Sequence, residues 1–359
     1  MIVQNLTLYN FKNHQEGDYQ FSSHINCFVG DNGVGKTSIL DALHYLSMGK
    51  SFLNSSDSTC IMHDSDFFSI KSDIQEVEKI TTIQIQLPKE GKKAIKKNEK
   101  LLPKLSDHIG FLPSVLISPY DSNLIQDTGD SRRKFLDQMI SQTDKEYLYN
   151  LIQYQKTLKQ RNALLKYFQK NRTFDLASLE IYNEPLSLYG EKIYLKRKEF
   201  TEKLDPIIQE FYNQISAGKE TIAVAYESQL QKSRMESLLS QNLEKDRALS
   251  YTYAGIHKDD LQFTINQKPI KKFGSQGQQK SFLIALKLAQ IKRIKDITGK
   301  NPILLLDDIF DKLDDTRVMQ LIELLNRENF GQMFITDTSR ERTEKVVKKI
   351  SAESIIFAI

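Results

Sequence analysis

The segment GDNGVGKT, Gly30 to Thr37, sets two glycines, a lysine and a hydroxyl at the spacing G-x-x-x-x-G-K-[ST]. Glycines at these points let the backbone N–H groups of Gly30, Asp31, Asn32, Gly33, Val34 and Gly35 turn inward around phosphate oxygens. Lys36 would reach the outer phosphates and the Thr37 hydroxyl would ligate Mg2+, with Ser38 next in the phosphate-binding set. At average residue frequencies, a chance match in a chain of this length has odds on the order of one in a hundred.

PILLLDDIFDKLDD carries the complementary chemistry. Ile303 to Leu306 read as a buried strand that ends in paired carboxylates. Asp307 would hold the metal, and Asp308 would orient or deprotonate an attacking water. A third segment, FGSQGQQKSFLIALKLAQ, opens a helix with small polar residues that could not pack a core. Ser275 suits an N-cap, with Gln279 near the capping-box position, yet capping leaves two glycines and three glutamines unexplained. A phosphate loop, then a Ser-x-Gly loop, then an Asp-Asp strand is an ordered triple. It resembles the ABC-type ATPases, in which the Ser275, Gln276 and Gly277 positions would reach ATP held by a second subunit.

Elements of the right type flank each motif. INCFV, before the phosphate loop, reads as a strand, and TSILDALHYLSMG as a helix that puts Ile39, Leu40, Leu43 and Leu46 on one side and stops at Gly49. IVQNLTLYNF, FFSIKSDI, KITTIQIQL and SVLIS read as further strands of the first third. From Asp130 onwards, Tyr147, Leu151, Tyr154, Leu158, Leu165 and Phe168 recur at helical steps, and helical patterning continues to about residue 249. Pro185 and Pro206 are expected at helix starts or kinks. LQFTI, PILLLDDIF, QMFITD and SIIFAI return to strand. The expected fold is α/β: an ABC-type P-loop ATPase head of mixed sheets and helices, 1–125 with 250–359, interrupted by a helical lobe, 126–249.

The 359 residues, 40% hydrophobic and 27% charged, describe an ordinary globular protein. Cys27 and Cys60 are too few for a disulfide framework, and their spacing suits no zinc site. No apolar run approaches the roughly 20 residues that cross a bilayer, so a cytoplasmic location is expected. The formal charge of +4 permits nucleic acid without requiring it. Its densest basic run, PKEGKKAIKKNEK, holds Lys89, Lys92, Lys93, Lys96, Lys97 and Lys100. Two uses fit that run equally: phosphate contacts at a hairpin tip, or charge that protects an edge strand. Arg132, Arg133 and Lys134, and the cluster Lys192, Lys196, Arg197 and Lys198, are weaker candidates, since charged helix faces are usually solvated.

Further segments narrow the resemblance. LYNFKNHQ, MGKSFL, SPYDSNLIQDTGDSRRKFLDQMI, YQKTLKQRNALLK, GIHKDDLQFTIN and FITDT, together with the three motifs, resemble the RecF family of bacterial recombination mediators, in the SMC/Rad50-like branch. That resemblance implies an ATP-dependent homodimer that binds double-stranded DNA near gaps or junctions. With RecR and RecO it would promote RecA loading in repair and replication restart. It implies ATP and Mg2+ at Gly30–Ser38 and Asp307, water activation by Asp308, and contact across the dimer by Ser275–Gly277 and Leu313–Asp314. Ser118–Gln126 would link the γ-phosphate to the helical lobe. Asp308 stands where Glu is common, and Thr336-Asp337-Thr338 where transporters carry a histidine; both point to slow hydrolysis. Lys12 replaces the usual arginine. The competing reading is the ATPase subunit of another ABC-type machine. A transporter subunit would bring the histidine, and a DNA-end-processing complex would bring long heptad arms with a cysteine hook. GIHKDD, Gly255 to Asp260, has no chemical role assignable from its residue types.

Overall fold

A computed structural model describes residues 1–54, 56–216, 220–309, 315–328, 330–350 and 353–359. The chain divides into two compact units, Met1–Ser122 with Leu283–Ile359, and Asn123–Phe282.

In the first unit, alternating apolar residues build an antiparallel sheet. Its order is His14–Gln20, Asn5–Phe11, Phe67–Glu76, Lys79–Pro88, Ala94–Lys97 and Lys100–Leu101, with Ile2–Val3 also paired to Phe67–Glu76. Ile83, Ile85 and Leu87 are buried while Gln84 and Gln86 between them are not, as a strand with one solvated face requires. A second sheet is parallel and runs Ser354–Ala358, Ile25–Val29, Met333–Asp337, Ile303–Leu306 and Ser114–Ile117. Its strands Ile25–Val29 and Ile303–Leu306 are buried throughout, and their sequences, apolar apart from Asn26, follow from coverage on both faces. The helix Lys36–Met48 packs against strands of both sheets, and Leu40, Leu43, Phe28, Ile70 and Phe334 share one core. It ends at Gly49 in the left-handed region (φ 64°), where a side chain would be strained. Cys27 and Cys60 are buried in this unit, and burial pushes their thiols up to about 12 and 11.

The second unit is built on the antiparallel helices Lys145–Asn171 and Leu176–Ser216. Arg161 meets Asn183 near one end of the pair, and Arg197 meets Tyr147 near the other. Pro185 and Pro206 lie inside the 41-residue helix and not at helix starts. Each lacks the N–H that would otherwise bond the carbonyl four residues earlier, that of Ile181 or Glu202; both of those residues are exposed, so water can reach these carbonyls.

The second boundary differs from the one expected. It falls at 282/283, within the helix Gln276–Thr298, and not at 249/250. The cause is a three-stranded antiparallel sheet, Ile222–Glu227, Asp260–Ile265 and Lys268–Pro269. IAVAYE pairs with DLQFTI along its whole length, so the latter joins the second unit and not the head. The lobe is therefore not purely helical.

Candidate nucleotide site

The phosphate-loop motif joins the strand Ile25–Val29 to the helix Lys36–Met48. Gly33 and Gly35 take φ values of 88° and 111°, open to glycine and costly for other residues. A Cβ on Gly35 would also lie 2.5 Å from Asn13 Nδ2 and 2.6 Å from His14 Nε2. Lys36 is 4% exposed, and its ammonium donates to the carbonyls of Gly30 and Asp31, both at 2.7 Å. The charge thus bridges the start of the loop. Beside it lies a cleft of about 370 Å³, lined by Lys12, Asn13, Asn32, Lys36, Thr37, Ser38 and Asp308 among others.

Thr37 Oγ1 donates to Asp307 Oδ1 at 2.9 Å, and Thr336 Oγ1 donates to the same oxygen at 2.9 Å. The Asp308 amide donates to Thr336 Oγ1, again at 2.9 Å. Burial raises the Asp307 carboxyl above its usual range, while the Thr37 and Thr336 bonds and Lys36 pull it back. A hydroxyl and a carboxylate side by side are oxygen ligands suited to a hard cation such as Mg2+. Among the described residues no group of three or more His, Cys, Asp or Glu could hold a metal.

Neighbouring motifs fasten this arrangement. Lys12 pairs with the buried Asp41 at 2.5 Å, and Asp41 also accepts from Ser51 Oγ and the Phe52 amide at 2.7 and 2.8 Å. MGKSFL is thereby tied to the helix of the phosphate loop. Asp337 accepts from Thr343 Oγ1 (2.9 Å), Arg342 Nε (3.2 Å) and the Thr338 amide (2.7 Å), and so anchors the helix Arg340–Ile350. Asp121 accepts from the Ser118 amide at 2.9 Å and pairs with Lys287 at 2.6 Å.

Ser275–Gly277 belong to the second unit. The Ser275 amide donates to Gln278 Oε1 (2.7 Å) and the Gln278 amide to Ser275 Oγ (3.2 Å), a reciprocal capping box. Its partner is Gln278, one residue before the expected Gln279, because the helix begins at Gln276. Gln279 Nε2 instead donates to Gly274 O at 3.0 Å, and the Gln126 amide group donates to Gln279 Oε1 at 3.0 Å. Ser275 and Gln276 are exposed, and the cap uses the Ser275 oxygen as acceptor, not its hydroxyl proton. Leu313–Asp314 lie outside the described residues.

Several basic candidates have structural uses. Arg132 grips Asp260 through two bonds, at 2.6 and 2.8 Å, and Arg133 donates to Asp259 O and Asp130. Arg197 is 1% exposed and bonds Asp137, Asp259 and Ile256 O. Lys192, Lys196 and Lys198 pair with Glu146, Asp144 and Glu202. Within the lysine run, Lys93 pairs with Asp57 at 2.6 Å and Lys97 covers the Phe111 ring, whereas Lys89, Lys92 and Lys100 are exposed. GIHKDD is where the three arginines Arg132, Arg133 and Arg197 converge. His257 bonds Tyr154 and Thr252 O, each at 2.9 Å, while Asp259 and Asp260 receive the arginines.

The model of the RecF/RecN/SMC N-terminal domain family matches residues 2–355. The DNA replication and repair protein RecF of Flavobacterium johnsoniae is 51% identical over 99% of both chains, and that of Phocaeicola vulgatus is 44% identical over 100% of this chain and 96% of its own. The chain belongs to the RecF family. A solved structure of the recombination mediator protein RecF with ATPrS, in the RecFOR pathway, superimposes with a TM-score of 0.87 at 31% identity, covering 95% of this chain and 93% of that one. An Smc head bound to the C-winged helix domain of ScpA shares the fold at a TM-score of 0.57 and 15% identity, over 100% of this chain and 94% of its own. The fold is the expected ABC-type ATPase head, as RecF and Smc heads share it. No helix among the described residues is long and apolar enough to cross a membrane.

Proposed function

We propose that this RecF-family chain is a slow, DNA-linked ATPase that mediates recombinational repair and replication restart. It binds ATP with Mg2+ and pairs with a second copy when ATP is bound. It holds double-stranded DNA near gaps or junctions in the cytoplasm and, with RecR and RecO, promotes RecA loading. The 2.9 Å bond between Thr37 and Asp307, 270 residues apart in sequence, carries the reading, because it sets a hydroxyl and a carboxylate together beside the phosphate loop.

In that reading the backbone N–H groups of Gly30–Thr37 cradle phosphates, and Lys36 exchanges its two carbonyl partners for phosphate oxygens. Thr37 and Asp307 would hold Mg2+, which supplies positive charge against the phosphoryl oxygens. Asp308 orients the attacking water and receives its proton. Ser275 Oγ–H and the Gly277 N–H of one copy present to the ATP of the other, aided by the positive end of the helix Gln276–Thr298. An aspartate one methylene shorter than glutamate, and no histidine in Thr336-Asp337-Thr338, favour slow turnover. Measurement of ATP binding and phosphate release tests the reading. Lys36→Ala should lose both, and Asp308→Asn should bind ATP without hydrolysing it. Wild-type hydrolysis by either variant overturns it.

A further inference from the structure

We infer that Thr336 is a positioning residue for hydrolysis, aligning the metal-side and water-side carboxylates through one hydroxyl; this rests on the roles proposed above for Asp307 and Asp308. Thr336 is fully buried in the strand Met333–Asp337, next to the strand that ends at Leu306. Its neighbours Met333, Phe334 and Ile335 are buried and apolar, so a valine would satisfy packing at this position. A buried hydroxyl is costly unless its hydrogen bonds are made. Here both capacities are used: it donates to Asp307 Oδ1 and accepts from the Asp308 amide, each at 2.9 Å.

The second bond has a backbone reason. Asp308 sits at φ 45°, in the left-handed region that Asp tolerates better than most side chains. The Asp307 amide still bonds across the sheet to Ile117 O at 2.9 Å. At the next residue the chain turns out of the strand, and the Asp308 amide finds its acceptor in Thr336. Asp308 then lines the cleft together with Lys36 and Thr37. One side chain therefore fixes the oxygen that faces Thr37 and the turn that delivers Asp308. Thr37 supports Asp307 as well, but it is itself assigned to the metal; Thr336 is assigned to neither nucleotide nor metal.

Steady-state hydrolysis of Mg2+-ATP by Thr336→Val and Thr336→Ser, with ATP affinity measured alongside, tests the proposal. Valine keeps the shape and loses the hydroxyl; serine keeps the hydroxyl. Thr336→Val should lower kcat by about tenfold to a hundredfold, the loss typical of misplaced reacting groups, with KM and ATP affinity within about threefold. Thr336→Ser should stay within about threefold of wild type for all three. Wild-type kcat in the valine variant, equal loss in both variants, or loss of ATP binding with valine would each overturn the proposal. Asp308→Asn, run in parallel, separates the two readings. If it hydrolyses normally, the assignment of Asp308 fails; if it is dead while Thr336→Val is normal, Thr336 alone loses its role.

Discussion

Arg197 Nη1 and Asp259 Oδ2 lie 3.0 Å apart within the second unit, both almost wholly buried. Around them Arg197 also bonds Asp137 and Ile256 O, and Tyr226 donates to Asp259. Two arginines of the SRRK segment reach the adjoining residues Asp259 and Asp260. GIHKDD is therefore an internal anchor that ties the helical hairpin, the three-stranded sheet and the helix Gly129–Thr143 into one unit.

Arg197→Ala should destabilise the second unit by about 3–5 kcal/mol, because it strands buried carboxylates. Lys192→Ala, which breaks an exposed pair, should change stability by less than about 0.5 kcal/mol. Urea unfolding of the intact chain compares them. Equal midpoints would show that Arg197 is not an anchor.

Gly255 takes φ 132°, and a Cβ there would lie 2.6 Å from Met235 Cε and 2.9 Å from Tyr154 OH. Gly255→Ala should cost about 1–3 kcal/mol through strain and crowding. Gly299→Ala, with φ 68° but nothing within 4 Å, should cost less. Thermal melting of the two variants ranks them, and the reverse order would contradict the packing described.

The site and its supports are unequally legible in the sequence. Gly30–Thr37 form one contiguous loop whose chemistry follows from residue types, and Asp307 ends a strand whose apolar run is unmistakable. Arg197 lies in a charged cluster that reads as a solvated helix face. The contrary signal is present: it falls four residues after Ile193 and three before Phe200, on the helix's buried stripe. A charge at such a position must be paired, yet its partners Asp137 and Asp259 are 60 and 62 residues away, and the topology that joins them is not written locally. IAVAYE takes its meaning from its pairing partner, DLQFTI, which patterning alone assigns to the head. The pairing of Thr336 with Asp308 likewise depends on strand order, which no single segment encodes.

Burial pushes His44, in the first unit, and His257, in the second, down to about 4. Between about pH 6.5 and 4 the unfolded chain binds these protons and the folded chain does not, so stability falls as pH drops through that window. Each histidine contributes about 3 kcal/mol across it. Burial raises the carboxyls of Asp259 and Asp307, which acts in the opposite sense at the acid end. His257→Gln should flatten the fall in the urea midpoint of the second unit between about pH 7 and 5. An unchanged slope would show that His257 does not drive that fall.

Lys89, Lys92 and Lys100 are exposed, whereas Lys93 is held by Asp57. If this edge binds duplex phosphates, the triple alanine variant should weaken binding uniformly across sequences. The log–log salt slope should then shrink by about 0.9 for each phosphate that is no longer neutralised. Lys93→Ala should instead lower stability. Filter binding over a salt series decides, and an unchanged slope in the triple variant assigns the run to protection of the sheet edge.

In the function proposed here, Ser275–Gly277 of one copy serve the ATP of a second. Light scattering with ATP and Mg2+ tests it most directly, comparing Asp308→Asn with Asp308→Asn carrying Ser275→Arg. The first should double in mass on adding ATP, and the second should stay monomeric while still binding ATP. If ATP binds and neither changes mass, or if both double, the loop is a capped helix end and the cross-subunit site is contradicted.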